Sequence, residues 1–119
     1  MDYRKLTIWQ MGMRLARDVY TRVIPKMPDS EKYGLSNQMG RAAVSIPSNI
    51  AEGHTRETTK DYIKFLTYAK GSLAELQTQL LLCVDIGFLT KEDILPITEV
   101  SNELLKKLNK LLIVLREKV

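Results

Sequence analysis

The sequence predicts an all-α fold, an antiparallel up-down four-helix bundle in a single domain over residues 1–119, and three observations support it. Apolar residues recur at steps of three and four through four separate stretches, which is the period of a helix with one buried face. Four prolines, six glycines and 7% aromatics in 119 residues favour long helices over many short strands. The links between the stretches are short, so successive helices are expected to be antiparallel neighbours.

The first helix is expected from about Lys5 to Ile24, with Leu6, Trp9, Met13, Ala16, Tyr20, Val23 and Ile24 on its core face. Pro25 and Pro28 stop it, because each removes a backbone donor and restricts the residue before it. The second helix starts at Ser30 or Leu35 and runs to Glu52, with Gly53 as its C-terminal cap. Leu35, Met39, Ala42, Ala43, Ile46 and Ile50 form its apolar face, and Pro47 inside it is expected to kink it or open it locally. The third runs from Lys60 to Ile86, with Thr58 and Asp61 at capping-box spacing and Gly87 at its end. Its stripe is Tyr62, Phe65, Leu66, Ala69, Leu73, Leu76, Leu80, Cys83 and Val84. Thr90 caps the fourth, whose core positions are Ile94, Ile97, Ser101, Leu104, Leu105, Leu108, Leu112 and Leu115. Pro96 lies deep for a first turn, so a later start near Leu95 is expected.

Two polar stripes accompany these cores. Gln38, Arg41, Ser45, Asn49 and Glu52 share one arc of the second helix; Tyr68, Ser72, Glu75 and Gln79 share one of the third. A charge beside a core is retained only when paired, which makes Arg41 with Glu75 the expected ion pair of a structural polar network. The rest of the second helix, including Gly40, Val44, Pro47 and Ala51, is apolar or small, and the first helix carries a second apolar set in Ile8, Met11 and Leu15. Together Ile8, Met11, Leu15, Val44, Pro47 and Ala51 are the candidate oligomer interface, since this is more apolar surface than one bundle hides. Gly12, Gly40 and Gly71 fall inside helices, where close approach of another backbone would justify their cost.

The formal net charge is +4, and residues 1–26 alone, with six bases and two acids, account for it. Such an excess permits contact with nucleic acid. Arg14, Arg17 and Arg22 on the first helix, with Lys106, Lys107 and Lys110 on the fourth, are the candidate phosphate contacts. No apolar run is long enough to span a membrane, no signal-peptide pattern opens the chain, and the single cysteine, Cys83, forms no internal disulfide, so a cytoplasmic protein is expected. His54 is the only histidine and lies in a polar link without ligand spacing, so neither metal nor cofactor is expected. Ser45 and Ser72 have no histidine base, there is no glycine-rich phosphate loop, and no Glu-x-x-His motif supports a di-iron centre. No residue set for catalysis is visible, and the chain is read as a non-enzyme.

The run Tyr33-Gly34-Leu35, then Gln38, Arg41-Ala42-Ala43 and Ser45-Ile46-Pro47-Ser48-Asn49-Ile50-Ala51-Glu52-Gly53, resembles the signature of the four-helix bundle proteins encoded in 23S ribosomal RNA intervening sequences, often labelled S23 ribosomal proteins. The resemblance begins at Leu6, Ile8 and Trp9 and continues through Phe65-Leu66, Ala69, Gly71-Ser72, Glu75-Leu76 and Thr78, covering about residues 6–88. Met27 stands where the pattern usually has Phe, and Gln77 intervenes before Thr78. The resemblance implies a homo-oligomer, a pentameric ring in form, and kinship with the accessory variability protein of diversity-generating retroelements, a basic pentamer that binds nucleic acid. The expected function is therefore a homo-oligomeric bundle binding RNA or another nucleic acid through a basic surface. The alternative is a protein–protein adaptor or scaffold without a nucleic-acid role.

Overall fold

The computed structural model describes residues 2–119. Four helices carry the fold: α1 (Thr7–Asp18), α2 (Leu35–His54), α3 (Thr59–Asp85) and α4 (Lys91–Arg116). They stand as a square rod of 46 × 21 × 20 Å in which each helix packs on the next in sequence and α1 packs on α4. Every neighbouring pair is antiparallel: Gly12 meets Pro47 while Tyr20 meets Gly40, and Lys26, after α1, pairs with Asp93 in the first turn of α4 at 2.7 Å. The core runs the length of the rod through Leu15, Met39, Ile46, Ile50, Leu66, Leu73, Leu76, Ile97, Leu104, Leu108 and Leu112.

Helix α1 turns inward a face about 110° round from the one its apolar spacing suggested. Ile8, Gly12, Leu15, Val19 and Val23 are buried, whereas of the expected set only Val23 is; Trp9 and Ala16 are half-buried, and Met13 and Tyr20 are exposed. Gly12 decides the matter. A Cβ placed there would lie 3.3 Å from the backbone of Pro47, so only the flank without a side chain lets α1 and α2 approach this closely. The helix then widens into a π turn over Val19–Val23. The wider turn keeps both valines in the core and leaves Tyr20 outside, its hydroxyl lying over Gly40.

Helix α2 passes through Pro47 without ending, although the ring removes the hydrogen bond to Ala43. The carbonyls around it are served locally: Ser45 Oγ donates to Ala42 O, Ser48 Oγ to Val44 O and Asn49 Nδ2 to Ser45 O, at 2.8–2.9 Å. Gly53 is not the cap. It lies inside α2 against α3, where a Cβ would stand 2.7 Å from that of Phe65.

The second half of the chain follows local rules. Thr58 Oγ1 accepts the amide of Asp61 to open α3. Gly87, at φ +86°, closes it: Phe88 N–H donates to Cys83 O and Gly87 N–H to Val84 O, the paired bonds of a Schellman stop. A reciprocal box starts α4, with Asp93 N–H donating to Thr90 Oγ1 at 3.1 Å and Thr90 N–H to Asp93 Oδ2 at 2.8 Å. That box holds the start at Lys91, so Pro96 sits inside α4, not at a later beginning.

Candidate interaction surfaces

The antiparallel square sorts the charge by end. One end gathers the start of α1, the end of α2, the start of α3 and the end of α4, which are residues 2–10, 52–70 and 104–119. It holds eleven of the 18 bases and five of the 14 acids, a net +6. The other end, with seven bases and nine acids, carries a net −2. The basic end is thus assembled from three stretches distant along the chain, and of residues 1–26 only 2–10 belong to it.

The candidate phosphate ligands divide accordingly. Lys106, Lys107 and Lys110 lie exposed at the basic end, Lys106 loosely paired with Glu103 at 3.5 Å. Arg14 and Arg22 instead flank the carboxylate of Asp18 at 3.9 and 3.8 Å. Arg14 also lines the α1–α4 groove with Glu99 and Glu103. Only Arg17 of the three arginines is exposed and makes no ion pair among the described residues. Two of the three arginines thus share an acid of their own helix, while the three lysines stand on the basic end.

The candidate interface residues also part company. Ile8 and Leu15 are buried within the bundle, Met11 faces the α1–α4 groove half-buried, and Pro47, largely buried, forms part of the floor of the α1–α2 groove. Val44 and Ala51 do line an open groove between α1 and α2, together with Trp9, Met13 and Ala16, and Tyr3 packs edge-on to Trp9 at its mouth. The exposed apolar surface on α1 is thus the Trp9–Met13 face, whose spacing matches a core stripe. A second apolar groove, lined by the exposed Leu81 and Leu95 with Val84 and Ile94, lies beside the turn from α3 to α4.

The polar stripes do not join as a network. Ser45 and Asn49 bond to their own helix, Glu52 pairs with Arg56 at 2.8 Å, and Arg41 is exposed without the expected ion pair to Glu75. Gln38 and Glu75 line the open α2–α3 groove, while Ser72 is half-buried on α3. A short polar link does bridge helices: Gln77 Nε2 donates to the buried Ser101 Oγ and to Asn102 Oδ1. A serine at a core position of α4 was the available sign that α3 must supply a partner. Gln79 is 8% exposed, and its Oε1 is buried with no hydrogen-bond donor.

Chemically these surfaces offer charge and apolar area. No group of three or more His, Cys, Asp or Glu side chains converges among the described residues, and no helix is long and apolar enough to cross a membrane. Burial pushes the Cys83 thiol up from its ordinary value, with the charge of Glu31 adding to the effect. Asp93 is held down at about 2 by the Lys26 ammonium and by the amide of Thr90.

Comparison with known proteins bears on both fold and family. The family model described as 23S rRNA-intervening sequence protein matches residues 4–110. A crystal structure at 1.70 Å of a protein with unknown function from the S23 ribosomal protein family, from Bacteroides thetaiotaomicron VPI-5482, superposes with a TM-score of 0.82. It is 21% identical over 89% of this chain and 98% of that one, a likeness of fold. No curated protein matches.

Proposed function

As the chain belongs to the 23S rRNA-intervening sequence protein family, we propose that it is a non-enzymatic, homo-oligomeric bundle that binds RNA or another nucleic acid at its basic end. The segregation of charge carries this reading: a net +6 at one end of the rod, against −2 at the other. A single copy presents a modest field. Copies assembled side by side with parallel axes, as in the pentamer that the family resemblance implies, add their basic ends on one rim, and clustered charge of one sign attracts a polyanion strongly. Lys106, Lys107 and Lys110 are the phosphate contacts at that rim. Arg14 and Arg22 share the one carboxylate of Asp18 and lie outside the basic end.

Filter binding of single-stranded RNA tests the reading. Six phosphate contacts would weaken binding on the order of a hundredfold between 50 and 200 mM salt. Lys106→Glu with Lys107→Glu and Lys110→Glu should abolish retention, while Arg14→Gln leaves it near wild type. Wild-type protein that retains no RNA at 50 mM salt defeats the proposal. The exposed Leu81 and Leu95 favour a second reading, an adaptor for another protein. Capture of a defined protein that survives nuclease treatment, and is lost with Leu81→Glu, would favour it.

A further inference from the structure

Helix α4 sorts its charge around its axis as well as along it. On the side toward α1 it lines a groove with Pro96, Glu99, Val100 and Glu103, beside Met11 and Arg14. On the side toward α3, Lys91, Leu95, Thr98, Asn102 and Lys106 follow at steps of three and four, and none of them is an acid. The facing stripe of α3 holds Lys70, Gln77 and Leu81. Two observations join the stripes across the seam. Leu81 lines one groove with Lys91, Leu95 and Thr98, and Gln77 reaches the side chains of Ser101 and Asn102.

Beside the turn between the two helices the seam opens into a slot of about 310 Å³. Its floor is the buried Ile94 and the half-buried Val84, and its walls are Leu81 and Leu95, 60% and 53% exposed. Asp85 and Lys91 stand at its edge, one charge of each sign. Farther along the seam come Lys70 and Lys106, and no acid shares either stripe there. Lys70 and Lys91 make no ion pair among the described residues, and Lys106 has only Glu103 at 3.5 Å.

We infer that the α3–α4 seam docks an acidic amphipathic helix of another protein, with apolar side chains seated between Leu81 and Leu95 and carboxylates over Lys70 and Lys106. Such a site is separate from nucleic-acid binding and rests on the adaptor reading, to which it gives a surface and a partner chemistry. The occupant is a helix because the backbone of α3 and α4 is already paired within each helix along the seam. An extended segment laid there would find no partners for its own amides over an apolar floor, whereas a helix brings those bonds with it. Leu95 and Lys106 stand about 16 Å apart along α4, so a helix of about three turns spans the slot and the lysines together. The occupant is acidic because the seam sets Lys70, Lys91 and Lys106 against Asp85 alone, and a juxtaposed like charge is costly at an interface. The α1–α4 groove, where Glu99 and Glu103 face Arg14, disfavours the same helix.

Fluorescence polarisation with two synthetic amphipathic helices tests it. Both carry leucines on one face; one has glutamates beside them and the other lysines. The glutamate peptide should bind, and the lysine peptide should bind about tenfold more weakly or not at all. Leu81→Glu should weaken the glutamate peptide by about tenfold. Helicity by circular dichroism and retention of RNA should not change in that variant, since Leu81 is open to solvent and lies outside the basic end. Lys70→Glu with Lys91→Glu should reverse the preference between the two peptides. A glutamate peptide that does not bind, or that binds no better than its scrambled sequence, overturns the inference and leaves the nucleic-acid reading standing. Binding that Leu81→Glu does not weaken and that RNA displaces also overturns it, because lysines alone would then hold any polyanion. Wild-type protein that binds the glutamate peptide but retains no RNA defeats the nucleic-acid reading and leaves this site in place.

Discussion

The two helical hairpins of this bundle are held by different means. Between α3 and α4 the chain is governed locally: Gly87 stops one helix, Thr90 and Asp93 start the next, and Gln77 ties them through Ser101. Between α1 and α2 local signals are weak. Neither helix has a side-chain N-cap from its capping residue, α1 passes into a π turn, and the contact is made where Gly12 accepts Pro47 and Gly40 accepts Tyr20. The lesson is that a hairpin built on caps can be read from a few neighbouring residues, whereas one built on missing side chains depends on residues about 20 to 35 positions away.

Removing packing from the α1–α2 hairpin should have the largest effect. Leu15→Ala takes a fully buried side chain from the face of α1 that tertiary contact selected, and should cost about 2–5 kcal/mol in urea unfolding. A cost near zero would mean that the Trp9 face is the buried one after all. Gly12→Leu forces a side chain against the Pro47 backbone and should cost about 1–3 kcal/mol, despite leucine's better helix propensity. A stabilised variant would show that the two helices need no close approach.

On the other hairpin, Thr90→Ala removes one cap and should lower stability by about 1 kcal/mol, read from the same unfolding curves. Acid probes the same turn more gently. The carboxyl of Asp93 is held at about 2 in the folded protein, below the ordinary value near 4. Its contribution is therefore present above about pH 4 and is lost as pH falls toward 2. Thermal unfolding of Asp93→Asn should show a shallower decline over that interval than the native protein; identical slopes would remove Lys26–Asp93 as a pH-sensitive link.

The contrast explains which parts of the fold were legible. In α2, α3 and α4 the stripe of large apolar side chains at helical spacing is the one that is buried, so periodicity alone placed Met39, Ile46, Leu73, Leu76, Leu104 and Leu108 inside, as they are. Helix α1 is apolar on two sides, and hydrophobic spacing has no way to rank Trp9, Met13 and Tyr20 against Ile8, Leu15 and Val19. Gly12 and Pro47 were both visible, but their meeting was not. The polar stripe beside Pro47 looked like an interhelical network because its residues share an arc; Ser45 and Asn49 spend their donors on their own helix instead.

What the amino-acid order determined by itself is the number of the helices, most of their inner faces, the caps that open α3 and α4 and the glycine stop of α3, and membership of a family whose signature lies in Ser45 to Gly53. Those properties depend on residues within a turn or two of each other, and backbone hydrogen bonding makes them local. Only the tertiary structure decided which side of α1 turns inward, that charges distant along the chain gather at one end, and that Leu81 and Leu95 wall one groove. Each of these depends on the closest approach of two helices, set by the side chains that are absent at the crossing as much as by those present.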